Sequence, residues 1–208
     1  MAGADCEEVI VRKSLLLLLL ALTVGNAWAK PVSILILGDS LSASYGMDEA
    51  DGWVNILRQR NDSYELINAS VSGETSGGAL RRLPSLLTRH QPQWIFIELG
   101  GNDGLRGFPP TITQRNLDQI IQLAHASGSQ ILLSQVMLPP NYGRRYTDQF
   151  DQVFQTLNEQ HQLTLVPFFM EPIAPKPNLM QADGIHPNKQ AQPLIADFME
   201  QWFLQVAG

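Results

Sequence analysis

Cysteine is nearly absent. The 208-residue chain has one, Cys6, so thiols can build no intramolecular disulfide, zinc cluster or iron–sulfur centre. Charge is sparse too, at 16% of residues, and the 20 acidic side chains outnumber the 14 basic ones for a formal net charge of -6. Such a chain lacks the cationic field that holds a phosphodiester backbone, which excludes a general nucleic-acid binder. No two glycines stand at i and i+2, so the dinucleotide fingerprint is missing, and no G-x-x-x-x-G-K phosphate loop occurs. G-x-S-x-G and S-x-x-K are missing as well. His90, His125 and His161 are scattered, without H-E-x-x-H or carboxylate spacing, and neither metal nor cofactor is expected. What the chain does have is 44% apolar residues in a length suited to one domain with a sizeable core.

The N-terminus reads as an export signal. Arg12 and Lys13 precede six leucines, Leu15 to Leu20, the apolar run continues through Ala21, Leu22 and Val24, and Ala27-Trp28-Ala29 supplies an A-x-A site. The run is roughly ten residues, whereas a spanning helix needs about 20, so no stable membrane anchor is expected. Cleavage after Ala29 leaves a single domain, 30–208, without cysteine and with a net charge of -5.

Within that domain, continuous apolar runs at 32–37, 64–67, 94–99, 131–136 and 163–166 fit strands buried on both faces. Helical stripes lie between them. Leu117, Ile120, Ile121 and Ala124 form one, opened by a capping box of Thr111 and Gln114. Phe150, Val153, Phe154 and Leu157 form another, and Leu194, Ile195, Phe198, Met199, Trp202 and Phe203 a third. A helix over 77–90 contains Pro84, which predicts a bend or an early break. Alternation of this kind implies an α/β fold of three layers, α/β/α, around a five-stranded parallel sheet; five strands fit the flavodoxin-like order 2-1-3-4-5 better than a longer nucleotide-binding sheet, although alternation does not itself fix the order.

In such sheets ligands bind beyond the carboxyl ends of the strands, where the strand order reverses. The unusual residues fall there: Gly38-Asp39-Ser40-Leu41, Ser72-Gly73-Glu74 and Gly100-Gly101-Asn102-Asp103 follow the first three strands, and Asp183-Gly184-Ile185-His186-Pro187 precedes the last helix. Ser40 is a candidate nucleophile, since a strand-to-turn junction lifts its hydroxyl from the sheet edge; equally, Asp39 or Ser40 could cap a helix. His186 is a candidate base, and Asp183 stands three residues away on the same loop, able to orient one ring nitrogen. Asn102 offers a neutral N–H and Gly73 an unobstructed backbone N–H for a developing oxyanion. A receiver-like module would use an Asp such as Asp103 but also a Lys after a later strand, and none lies near Val136.

Gly38-Asp39-Ser40-Leu41, Gly73, Gly101-Asn102-Asp103 and Asp183-x-x-His186 resemble, in order and separation, the four blocks of the GDSL or SGNH hydrolase family. The strings from Leu99 to Phe108, Asn141 to Tyr146 and Asp183 to Asn188 are most similar to its exported bacterial members. That resemblance implies a periplasmic serine hydrolase acting on acyl esters, acyl thioesters and lysophospholipids as a monomer. Ser40, His186 and Asp183 would be catalytic, and the oxyanion would be held by the N–H groups of Ser40 and Gly73 and by Asn102. Leu105 and Phe108 are candidates for the acyl-chain wall, and Arg106, Arg144 and Arg145 for phosphates of a leaving group. Pro109-Pro110 would stiffen a loop that is mobile in the family. A carbohydrate acetylesterase of the same fold and a non-catalytic lipid-binding protein are the alternatives.

Overall fold

The sheet is built from runs that are apolar on both faces. In a computed structural model that describes residues 30–207, β1 (Val32–Gly38), β2 (Tyr64–Asn68), β3 (Trp94–Glu98), β4 (Gln130–Ser134) and β5 (Thr164–Val166) form one parallel sheet in the order β2-β1-β3-β4-β5. Cys6 and the export signal lie outside the described residues. The helices are α1 (Trp53–Arg60), α2 (Ser76–His90), the short α3 (Gly101–Leu105), α4 (Pro110–Ala126), α5 (Arg144–His161) and α6 (Gln192–Ala207).

Side-chain alternation along the strands divides the core in two. Leu35 and Leu37 of β1, with Ile95 and Ile97 of β3, pack against Leu83 of α2, Leu117 and Ile121 of α4 and Phe154 of α5. Ile34 and Ile36, with Phe96, face Trp53 and Leu57 of α1 and Ile195, Met199 and Phe203 of α6. Both faces being covered is what a continuous apolar strand requires.

Three helices differ in detail from expectation. Helix α2 runs unbroken through Pro84. Pro84 lies on the exposed side of the helix, while Ala79, Leu83 and Leu87 hold the other face in the core. Helix α4 does not open on a Thr111–Gln114 capping box: Pro109 is its N-cap and Pro110 its first residue, with no side-chain cap. Proline suits that position because its φ is helical and its missing N–H would have had no intrahelical acceptor. The proline pair therefore stands at the start of a helix. In α6, Leu194 points to solvent at 45% exposure, although it belongs to the expected apolar stripe.

Candidate active site

Strand order reverses between β1 and β3, which opens a crevice beyond their carboxyl ends. The turn after β1 carries Ser40 and is pinned from several sides. Asp39 Oδ1 accepts from Leu41 N–H at 3.0 Å, Trp53 Nε1 donates to the Leu41 carbonyl at 3.1 Å, and Asn68 Nδ2 donates to the Ser42 carbonyl at 2.8 Å. The local string was open between a nucleophile turn and a helix cap; the residues after Ser40 form turns, no α-helix follows until α1, and Ser40 is half-buried.

The loop before α6 supplies the imidazole. Gly184 has φ +68°, a left-handed conformation that lets the chain fold back on itself. Asp183 Oδ1 then accepts from the N–H groups of Ile185 at 2.9 Å and His186 at 3.0 Å, and its Oδ2 lies 2.6 Å from His186 Nδ1. Desolvation pulls the Asp183 pKa upward, but the His186 backbone and ring donors and Ile185 N–H together outweigh it and hold the carboxyl at about 2. A carboxylate only accepts, so Nδ1 carries the proton and Nε2 is left as the acceptor. Nε2 stands 2.9 Å from Ser40 Oγ. The ring of Tyr45 lies over the imidazole with centroids 4.2 Å apart. Residues 40, 183 and 186 thus meet, across 146 positions of sequence, in one hydrogen-bonded chain.

Gly73 sits after β2 with φ +76°, which a side chain would strain. Its loop is tied down by the Val71 N–H to the Gly38 carbonyl at 3.1 Å, by a 2.6 Å ion pair between Arg82 and Glu74, and by Arg106, which donates to the Gly73 carbonyl at 3.0 Å. Among the described residues neither Ser40 N–H nor Gly73 N–H donates to a protein acceptor. Asn102, in α3, donates one amide hydrogen to Asp39 Oδ2 at 3.0 Å and keeps the second. The neighbouring Asp103 is fully buried and spent on α2: Ser76 N–H donates to it at 2.8 Å and Ser76 Oγ at 2.5 Å. That occupancy removes the phosphoacceptor alternative.

Among the described residues the remaining candidates form no hydrogen bond with Ser40, Asp183 or His186. Leu105 is half-buried and Phe108 is exposed, both on the segment after α3. Tyr142 Oη donates to the Leu105 carbonyl at 2.9 Å and Tyr146 Oη to the Phe108 carbonyl at 2.7 Å, latching that segment to α5 and to the turn before it. Arg144 is solvated and pairs with Asp148 at 3.5 Å, and with the exposed Arg145 it lines a surface depression that also includes Tyr142, Tyr146 and Gln149. One functional-looking residue carried no motif: Glu98, at the end of β3, is fully buried beside Asp39. A lone acid closing an apolar strand was its sequence signal.

A doubly wound sheet with a hydroxyl, imidazole and carboxylate aligned at its switch point is the arrangement of a serine hydrolase. The chain belongs to the GDSL-like lipase/acylhydrolase family, whose model matches residues 36–193. It is 51% identical over 168 residues to thioesterase 1/protease 1/lysophospholipase L1 of Escherichia coli, covering 80% of this chain and 81% of that protein. It is 44% identical over 191 residues to an arylesterase of Vibrio mimicus, covering 90% and 96%. Among solved structures, a psychrotrophic esterase EstA from Pseudoalteromonas, inhibited by monoethylphosphonate, superposes with a TM-score of 0.82 at 48% identity, covering 84% of this chain and 97% of the other.

Proposed function

We propose that this protein hydrolyses esters and thioesters of medium to long acyl chains, lysophospholipids included, through an acyl-serine intermediate. The observation that carries the reading is the His186 ring, with one nitrogen on Asp183 and the other on the Ser40 hydroxyl. Ser40 Oγ attacks the carbonyl carbon as its proton passes to Nε2. The oxyanion takes the unspent hydrogens of Ser40 N, Gly73 N and Asn102 Nδ2. The tetrahedral adduct collapses, His186 returns the proton to the departing thiol or alcohol, and water repeats the sequence to release the acid. Asp183 holds the ring in its tautomer and stabilises the imidazolium without taking the proton itself.

Leu105 and Phe108 form part of the acyl wall in this reading. Arg106, Arg144 and Arg145 meet phosphate on the leaving group, a role favoured by the depression that Arg144 and Arg145 line. Removal of residues 1–29 delivers the domain 30–208 to the periplasm as a monomer. The described residues contain no helix long and apolar enough to cross a membrane.

A substrate panel tests the proposal: p-nitrophenyl esters of two to twelve carbons, a long-chain acyl-CoA and a lysophosphatidylcholine, each with the wild type and Ser40→Ala. Turnover of the longer esters and the thioester, lost in Ser40→Ala with an unchanged circular-dichroism spectrum, is the expected result. Hydrolysis confined to acetyl esters would give the carbohydrate-esterase reading, and binding without turnover the lipid-carrier one.

A further inference from the structure

Glu98 ends β3 in register with Gly38 of β1, directly under the turn that carries Asp39 and Ser40. It is fully buried, and among the described residues no Lys, Arg or His forms an ion pair with it or with Asp39. Its Oε2 accepts from Ser42 Oγ at 2.9 Å and from Asp39 N–H at 3.3 Å, whereas Oε1 faces no donor. The cavity is fitted to the carboxyl: a Cβ on Gly38 would lie 2.9 Å from Glu98 Oε2 and from Ser70 Oγ.

Two adjacent buried carboxyls without a cation cannot both ionise. The charge belongs on Asp39, which has the donors: Leu41 N–H at 3.0 Å and Asn102 Nδ2 at 3.0 Å. Burial and the neighbouring Asp39 charge push the Glu98 carboxyl well above the usual carboxylate range. Burial raises Asp39 to about 6, with Leu41, Glu98, Asn102 and His186 opposing the rise.

The orientation of Asn102 follows from where that proton sits. An ionised Asp39 can only accept, so the amide must turn its nitrogen toward it, leaving the second N–H for an oxyanion. A protonated Asp39 could donate to the amide oxygen instead, and the flipped amide would present a lone pair to the developing negative charge.

We propose that Glu98 is a positioning residue for the reaction: as a neutral carboxylic acid hydrogen-bonded to Asp39, it keeps Asp39 anionic and so fixes the Asn102 amide in its donor orientation. This rests on Asn102 being an oxyanion donor. It assigns a task to a buried acid that neither touches substrate nor moves the transferred proton.

The test uses Glu98→Gln, Glu98→Met, Asn102→Ala and the Glu98→Met/Asn102→Ala pair, with kcat and KM measured on p-nitrophenyl butyrate. Glu98→Met should lower kcat about ten- to hundred-fold, part of the loss typical of one missing oxyanion donor, with KM nearly unchanged. Glu98→Gln, neutral and still able to donate to Asp39, should recover most of it. In the Asn102→Ala background, Glu98→Met should cost almost nothing more, because both act through one amide. A full multiplicative loss in the double variant, or a Gln variant as slow as Met, overturns the assignment. If Asn102→Ala alone leaves kcat intact, the oxyanion reading is what fails. Infrared spectroscopy of the wild type at neutral pH is independent of whether the Met variant folds. A protonated-carboxyl stretch that vanishes in Glu98→Gln supports the proposal, and its absence overturns it.

Discussion

Asn102 shows how much one side chain can be asked to do. Its amide spends one hydrogen on Asp39 and holds the other in reserve. Asn102→Ala should reduce kcat by roughly two to three orders of magnitude, or about 3–4 kcal/mol, with a smaller effect on KM. A raised KM with kcat unchanged would place the residue in ground-state binding instead. Ser40, Asp183 and His186 were readable as candidates because each breaks the pattern around it: a hydroxyl after an apolar strand, and an acid and an imidazole between Gly184 and Pro187. Their mutual contacts were not readable, since 146 positions separate Ser40 from His186 and only the folded sheet closes that gap. Glu98 was passed over because it sits inside a run read as apolar, and nothing local states that Ser42 and Asp39 fold over it.

At the scale of elements, the five strands and three of the helical stripes were legible because burial on one or two faces writes a period into the sequence. Helix α1 was missed. Its buried residues, Trp53, Val54 and Leu57, are few, and its eight positions barely complete two turns. The early break expected at Pro84 does not occur, because the cost of a helical proline depends on what faces the lost N–H, and local sequence does not show that. Pro84 still carries a penalty on the exposed face of α2. Pro84→Ala should restore a bond to the Leu80 carbonyl and raise unfolding stability by about 1–3 kcal/mol, the helix-propensity gain less the entropy returned to the unfolded chain. Chemical denaturation checks this, and an unchanged or lowered midpoint contradicts it. The latch between α5 and the segment after α3 is also testable. Tyr146→Phe removes the 2.7 Å bond to the Phe108 carbonyl and should raise KM for long acyl esters more than for short ones. A uniform change across chain lengths would detach that segment from acyl binding.

Across the whole molecule, the carboxyl ends of β1, β2 and β3 and the loop before α6 converge on one crevice; the layered parallel sheet was legible from strand–helix alternation, whereas its strand order needed the family resemblance. The buried acids leave a signature in its pH–stability curve. Asp39 has a folded pKa of about 6 against an ordinary value of 3.8, so the folded state holds a proton that the unfolded state has released between those values. Stability from this group therefore declines as pH rises through that window and stays lower above it. Relative to wild type, Asp39→Asn should gain melting temperature as pH rises from 3.8 through about 6; a gap independent of pH would contradict the raised pKa. Asp183 has the opposite sign: held at about 2, it contributes stability above 3.8 that is lost as pH falls toward 2.

The most direct test is to trap the enzyme with a p-nitrophenyl phosphonate ester and locate the adduct by peptide mass spectrometry. One phosphonyl group per chain is expected, on Ser40, appearing in step with loss of esterase activity and absent from Ser40→Ala. Inactivation with the label on any other residue, or a Ser40-modified protein that still turns over ester, would contradict it.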